Sequence, residues 1–224
     1  MPGNVGIATL KVNLCHSGIS RIHVGFWRDS GDWRRLGVPL SWDSMLLKRE
    51  RSCLLVIDVQ ERLMAAMNEG ARLIANTALL VKAARRLGVP VLISEQYPKG
   101  LGPTLPELSV LASGESVVTK MEFSCTEAPG YLDRLKATGR DQAVLTGIEA
   151  HVCVLQTALG LRTLGYPVFV VADAVASRRP DSVALALDRM REAGCSIVTT
   201  EMVVFEWLGR AGTPEFKELS ALVK

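Results

Sequence analysis

The sequence predicts an α/β protein: a three-layer α/β/α, doubly wound, Rossmann-like single domain on a six-stranded, mainly parallel sheet. Apolar runs of strand length alternate with stretches of helical periodicity from about residue 50 onward. Glycine closes several of the helical stretches, where a left-handed residue ends a helix at low cost. Strands that alternate with helices form parallel sheets with helices on both faces, and these two observations therefore predict the fold class.

The elements follow one another in a regular order. Each predicted strand is a short run rich in aliphatic and β-branched residues. The six runs are Cys53–Val59, Val89–Ser94, Ser116–Thr119, Gln142–Thr146, Pro167–Ala172 and Ser196–Thr200. Helices are predicted between them at about 61–87, 125–138, 152–164 and 181–193, and the glycines that close them are Gly88, Gly139, Gly165 and Gly194.

Composition excludes several classes of protein. The formal net charge is +3 and no dense basic run occurs, so we expect no nucleic-acid partner. No run of 18 apolar residues exists, so we expect no membrane span. The five cysteines are irregularly spaced, without a C-x-x-C pair, which indicates reduced thiols and a cytoplasmic location.

The chain divides at about residue 45. Residues 1–44 show no sustained apolar periodicity and hold three of the four tryptophans. We interpret them as an N-terminal extension of unknown role: either a start assigned too far upstream of Met45 or a genuine extension that packs on a partner subunit. The predicted α/β domain spans residues 45–224.

Motif searches remove the common nucleotide and serine-hydrolase sites. The first strand is not followed by G-x-G-x-x-G, and neither G-x-x-x-x-G-K-[ST] nor G-x-S-x-G occurs. In doubly wound sheets ligands bind beyond the carboxyl ends of the strands, so polar residues at those ends are the remaining candidates.

Three such residues form a chemically coherent set. Asp58 closes the first strand, Lys120 follows the third, and Cys153 begins the helix after the fourth. An acid, a lysine and a thiol at neighbouring strand ends supply a base, an electrostatic stabiliser and a nucleophile. A helix N-terminus favours thiolate over thiol, so the position of Cys153 predicts a pKa lowered from about 8.5 into roughly the 3.5–7.5 range.

Five segments in this order resemble the isochorismatase-like cysteine hydrolases, the superfamily that includes nicotinamidase and N-carbamoylsarcosine amidohydrolase. The likeness covers about 50–224 and is greatest to the isochorismatase domain-containing proteins. The segments are Leu55–Gln60, Ser94–Thr104, Thr119–Ser124, Thr146–Cys153 and Asp173–Arg178.

The resemblance implies a role for each residue. Asp58 would take the thiol proton, Lys120 would hold the charges in register, and Cys153 would attack a carbonyl carbon to form a thioester. The family's non-proline cis peptide maps onto Ile148–Glu149, and its oxyanion hole maps onto the backbone N–H groups of Glu149 and Cys153. Losing one donor of this kind typically costs about 10²–10³ in rate.

Two departures from the family pattern narrow the chemistry. Nicotinamidases carry an Asp-x-His metal motif where this chain has Ser94-Glu-Gln-Tyr-Pro98, so we expect no metal and no other cofactor, and nicotinamide is disfavoured as substrate. Isochorismatases that cleave a vinyl ether lack the nucleophilic cysteine. Cys153 therefore indicates hydrolysis of a C–N or related acyl bond of a small molecule.

Further expectations remain open at this point. Gln60, Tyr97 and Phe123 are possible substrate-binding residues, with purely structural roles as the alternative. Cys125 is a candidate for the pocket border, and His151 for a cysteine–histidine base.

At the level of the whole protein, we expect a homo-oligomer, a dimer or larger, with Met202–Leu208 and Pro214–Lys224 as interface. The alternative to an enzyme is a non-enzymatic oligomeric interaction module with an idle active site.

Overall fold

The computed structural model of the chain describes residues 46–110 and 117–223. The interpretation of residues 1–44 therefore lies outside the described residues. Six strands form the sheet, and they are β1 (Ser52–Ile57), β2 (Val91–Gln96), β3 (Val117–Lys120), β4 (Gln142–Ile148), β5 (Val168–Ala176) and β6 (Ser196–Val198).

The helices connect the strands in the predicted alternation. They are α1 (Glu61–Met64), α2 (Gly70–Leu87), α3 (Pro98–Leu101), α4 (Pro106–Ser109), α5 (Tyr131–Ala137), α6 (Leu155–Thr163), α7 (Pro180–Glu192), α8 (Thr200–Leu208) and α9 (Pro214–Ser220). A 3₁₀ turn at Cys125–Glu127 precedes α5, and a π-helical turn at Ala150–Val154 precedes α6. None of the helices in the described part of the chain is long and apolar enough to cross a membrane.

The sheet has the order β3-β2-β1-β4-β5-β6, and every neighbouring pair is parallel. The chain builds outward in one direction from β1 and in the other from β4. The strand order therefore reverses between β1 and β4, and a ligand site is expected beyond their carboxyl ends.

Strand β1 illustrates how the two cores form. Its alternate residues Leu54 and Val56 join a core with α2, α8 and α9, while Leu55 and Ile57 join a second core with α5, α6 and α7. Because both faces of the strand are covered, its sequence is a continuous apolar run and does not alternate with polar residues.

Several predicted boundaries are wrong by a few residues, for local reasons. Strand β1 ends at Ile57 because Asp58 has a left-handed φ of 53°. The helix expected at 61–87 is split, since Glu69 also has a positive φ. The last strand stops at Val198 because the Thr199 hydroxyl accepts a hydrogen bond from the Met202 N–H and caps α8.

The predicted interface segment Met202–Leu208 is mostly core. It forms α8, which places Val203, Val204, Trp207 and Leu208 against the chain's own sheet, and Met202 and Phe205 are its exposed large apolar residues. An apolar stretch has the same sequence pattern whether the chain itself or a partner covers it. Here the chain itself covers most of it.

Candidate active site

The three sequence-predicted residues meet at the carboxyl edge of the sheet. Asp58 directly follows β1, Lys120 is the last residue of β3, and Cys153 lies in the π-helical turn that follows β4. Asp58 and Cys153 thus come from the two strands between which the strand order reverses. Lys120 starts two strands from β1 and reaches across β2 with its long side chain.

Asp58 and Lys120 form a buried ion pair. The Lys120 Nζ lies 2.7 Å from Asp58 Oδ2, and both side chains are fully shielded from solvent. Burial alone lowers the pKa of Lys120, but the Asp58 charge and the nearby thiols outweigh it and raise the pKa overall. Lys120 is therefore a fixed cation at neutral pH.

All hydrogen-bond donors of the Lys120 ammonium are in use. Besides Asp58, it donates to Gln96 Oε1 at 2.8 Å and to the carbonyl oxygens of Glu122 and Phe123 at 3.1 and 3.2 Å. An ammonium has three hydrogens, so these four acceptors use its whole donor capacity. Lys120 can act on a bound molecule through its charge and has no hydrogen left to donate.

The Cys153 thiol is only 6% exposed and lies close enough to Asp58 and Lys120 for both charges to act on it. Burial, followed by the negative charge of Asp58, raises the pKa of Cys153, and Lys120 only partly opposes this. The expectation of a lowered thiol pKa is therefore wrong. The helix N-terminus is outweighed by desolvation, and the resting group is a thiol.

Glu149 lies between β4 and the π-helical turn that holds Cys153. The peptide bond Ile148–Glu149 is cis, at the position to which the resemblance assigned it. The Glu149 carboxylate faces away to Arg178, whose Nε lies 3.0 Å from Oε2. Immediately before, Gly147 has a φ of 122°, and a Cβ there would overlap the carbonyl oxygen of Ile57, so only glycine fits.

The three possible substrate-binding residues lie in different environments. Tyr97 and Phe123 are 47% and 55% exposed, in the loops that follow β2 and β3. The Tyr97 ring packs on Gly100, where a Cβ would overlap it. Gln60 is fully buried: its amide donates to the carbonyls of Gln96 and Gly102 and accepts from Gln96 N–H, so the structure gives it a structural role.

The two remaining candidates, Cys125 and His151, lie in different surroundings. Cys125 is fully buried, and its thiol lies close enough to Asp58 and Lys120 for both charges to act on it. The Nδ1 of His151 is bound to Ser177 Oγ at 2.9 Å.

Sequence reasoning missed two polar residues of β2. Ser94 Oγ donates to Asp58 Oδ1 at 2.7 Å, and Gln96 accepts from Lys120 as described above. The sequence does carry a signal for them: two polar residues, two positions apart, in a buried strand. On sequence alone, this segment was compared only with the metal motif of nicotinamidases. Within residues 46–110 and 117–223, no three His, Cys, Asp or Glu side chains are grouped so as to hold a metal ion.

Comparison with known proteins places this architecture in a class. The chain is a doubly wound α/β protein with its polar candidate residues at the edge of the sheet where the strand order reverses. The family model "Isochorismatase domain" matches residues 52–202, and the chain belongs to the isochorismatase family.

Its relatives support this assignment over most of their length. Isochorismatase domain-containing protein 2 of Danio rerio is 40% identical over 179 residues, which cover 79% of this chain and 89% of the relative. The MAR1 ribonuclease structure from Caenorhabditis elegans has a TM-score of 0.75 at 36% identity, covering 80% and 92% of the two chains. The Escherichia coli YcaC product, described as an octameric hydrolase of unknown specificity, shares the fold, with a TM-score of 0.75 at 24% identity and coverage of 79% and 90%.

Proposed function

We propose that this protein is a metal-independent cysteine hydrolase that cleaves a C–N or related acyl bond of a small molecule through a thioester. The observation that carries the proposal is the buried Cys153 thiol beside the Asp58–Lys120 ion pair, at the edge of the sheet where ligands bind. Membership of the isochorismatase family supports a hydrolase.

The protonated thiol defines the first step. Asp58 takes the proton of Cys153 as sulfur attacks the carbonyl carbon, so a free thiolate is needed only during attack. The carbonyl π electrons move onto oxygen, and the backbone N–H groups of Glu149 and Cys153 are the proposed donors to that oxyanion. Lys120, 2.7 Å from Asp58 Oδ2, balances the charge of the carboxylate.

The remaining steps return the site to its starting state. The tetrahedral intermediate collapses, the C–N bond breaks, and Asp58 passes its proton to the leaving amine. The product is a thioester between the acyl group and Cys153. Asp58 then removes a proton from water as the water oxygen attacks the thioester carbonyl. The tetrahedral intermediate collapses to the carboxylic acid, the C–S bond breaks, and Asp58 returns its proton to the Cys153 sulfur. Asp58 acts as base, acid, base and acid in turn.

The exposed rings of Tyr97 and Phe123 are the proposed substrate-binding surface. Both belong to loops fixed next to the ion pair: Tyr97 N–H donates to Lys120 O, and the Phe123 carbonyl accepts from Lys120. Apolar rings at the mouth of a site with a buried charge pair favour a small acyl compound with an apolar portion.

Assembly and location remain proposals. We propose a homo-oligomer, because Met202 and Phe205 stay exposed on α8 and a protein of the same fold is described as octameric. A cytoplasmic location accords with the free thiols of the four cysteines in the described residues. The interaction-module alternative is not favoured, because it gives no reason for a buried thiol, acid and lysine to be held together.

A substrate panel with a matched cysteine control tests the function. Amides, ureido compounds, esters and an RNA oligonucleotide are incubated with wild-type protein, Cys153→Ala and Cys195→Ala. Cys195 is also a buried thiol, but it precedes β6, away from the site. Turnover lost in Cys153→Ala and kept in Cys195→Ala is expected, with an acyl adduct on Cys153 detected by mass spectrometry. Turnover that survives in Cys153→Ala, or cleavage of RNA alone, would refute the proposal.

A further inference from the structure

Strand β2 contributes neither member of the Asp58–Lys120 pair, yet it lies between the strands that do. In the sheet register Ser94 pairs with Ile57, the residue before Asp58, and Gln96 pairs with Lys120 itself. Ser94 and Gln96 are two residues apart, so their side chains leave the same face of the sheet. Both are buried, at 0% and 9% exposure.

The two carboxylate oxygens of Asp58 have separate partners. Ser94 Oγ donates to Oδ1 and Lys120 Nζ donates to Oδ2, each at 2.7 Å. With both oxygens held, the carboxylate cannot rotate about its Cβ–Cγ bond, and its remaining lone pairs keep one orientation. The serine hydrogen must point to the carboxylate, because an ionised carboxylate only accepts.

The neighbouring buried thiol fits this proton arrangement. Cys125 lies within hydrogen-bonding reach of Ser94, and burial followed by the Asp58 charge raises the pKa of Cys125. Since the Ser94 hydrogen is used on Asp58, the Cys125 S–H is the group that can donate to Ser94. The groups facing Asp58 are therefore Lys120, the two neutral thiols and the Ser94 hydroxyl.

Gln96 fixes the ammonium from the other side. Its Oε1 accepts from Lys120 at 2.8 Å, while its Nε2 donates to the Met121 carbonyl at 2.8 Å, which sets the orientation of the amide. The backbone of Gln96 is in turn held by the buried amide of Gln60. Lys120 is thus prevented from turning away from Asp58 toward the thiol or a bound molecule.

We infer that Ser94 and Gln96 are positioning residues for the reaction proposed above: Ser94 orients the Asp58 carboxylate toward Cys153, and Gln96 holds the Lys120 ammonium against Asp58. The inference rests on the proposed function for its effect on rate. The geometry it describes can also be tested without a substrate.

The role of Ser94 is tested by removing its hydroxyl and, as a matched control, removing a second buried serine hydroxyl away from the site. Ser94→Ala removes the donor to Asp58, whereas Ser52→Ala removes an equally buried β-strand hydroxyl that binds the Lys48 carbonyl and the Trp207 indole. Carbon NMR of the Asp58 carboxyl, assigned by its loss in Asp58→Asn, gives its chemical shift in each protein. Ser94→Ala is expected to change that chemical shift, since the hydrogen bond to Oδ1 is lost, and Ser52→Ala to leave it unchanged.

The glutamine has its own matched control. Gln96→Met removes the acceptor of Lys120, and Gln142→Met removes a buried glutamine that binds the backbone of Lys48 and Leu46 at the opposite edge of the sheet. Nitrogen NMR measures hydrogen exchange at the Lys120 ammonium. Gln96→Met is expected to speed exchange about tenfold, the effect of about 1.4 kcal/mol, and Gln142→Met to leave it unchanged.

Rates on an active amide complete the test. Ser94→Ala and Gln96→Met should each lower kcat about tenfold with KM within about twofold. If Ser94→Ala does not fold, Ser94→Cys, which keeps the volume but donates weakly, should give the same shift. An unchanged Asp58 carboxyl chemical shift and Lys120 ammonium exchange, or equal changes in the two control variants, would overturn the inference. Altered NMR properties without any turnover would instead refute the proposed function.

Discussion

The Asp58–Lys120 pair makes a quantitative prediction about stability. Lys120→Met keeps most of the buried aliphatic stem but leaves the Asp58 carboxylate without its cation in a site fully shielded from solvent. Removing one partner of a buried ion pair costs about 3–5 kcal/mol, because the remaining charge is uncompensated. We therefore expect the free energy of unfolding to fall by about 3–5 kcal/mol, and hydrolysis to be lost.

A double-mutant cycle separates this effect from lost packing. In Asp58→Asn/Lys120→Met both charges are gone, so much of the stability lost in Lys120→Met should return, while hydrolysis stays absent. Arg51→Met is the surface control: Arg51 pairs with Asp141 at 2.7 Å with both side chains well exposed, so its loss should cost less than about 1 kcal/mol.

Urea unfolding followed by tryptophan fluorescence measures five proteins: wild type, Asp58→Asn, Lys120→Met, the double variant and Arg51→Met. If Lys120→Met does not fold alone, recovery of a folded double variant becomes the readout. A cost below about 1 kcal/mol for Lys120→Met, or a double variant no more stable than the single one, would show that the buried carboxylate does not depend on Lys120.

Three further predictions concern the thiols and the turn after β4. Because the Asp58 charge raises the pKa of Cys153, alkylation of Cys153 by iodoacetamide should be slow at pH 7.5, and Asp58→Asn should accelerate it while abolishing hydrolysis; slower alkylation in that variant would contradict the electrostatics. Gly147→Ala should lower the free energy of unfolding by more than about 3 kcal/mol in urea, against about 1 kcal/mol for Gly139→Ala, which also has a positive φ but has open space around it. Burial raises the pKa of Cys53 from 9.0 to about 12, so the folded state keeps a proton that the unfolded chain loses. The stability from this group is complete below about pH 9 and declines above it, by up to about 1.4 kcal/mol per pH unit, and urea titrations of Cys53→Ala should show a smaller alkaline loss than wild type.

The order of strands and helices could be predicted because it depends on patterns among residues that are neighbours in the sequence. Apolar run length, helical periodicity and closing glycines are properties of neighbouring residues, and they sufficed for the six-stranded α/β fold. The boundaries failed where one backbone angle or one cap decided the outcome, as at Asp58, Glu69 and Thr199. The apolar segment of α8 was predicted as an interface, although the chain itself covers most of it, because a sequence does not tell which surface covers an apolar segment.

The candidate site was predicted in part. Asp58, Lys120 and Cys153 follow strands, and the topology of parallel sheets brings strand ends to one edge, so their proximity could be anticipated. The choice between a binding and a structural role for Gln60 was left open, because its environment depends on the backbone of Gln96 and Gly102, which lie far along the chain.

The sequence by itself determined the fold class, the family and the three residues that meet at the switch point. Tertiary structure alone decided that Cys153 rests as a thiol, that Lys120 has no hydrogen left to donate, and that Ser94 and Gln96 hold the ion pair. Fold class follows from short-range patterns, each of which can be recognised within a short stretch of the sequence. Protonation and hydrogen-bond occupancy depend on burial and on distances of a few ångströms between residues far apart in the chain, and these exist only once the chain has folded.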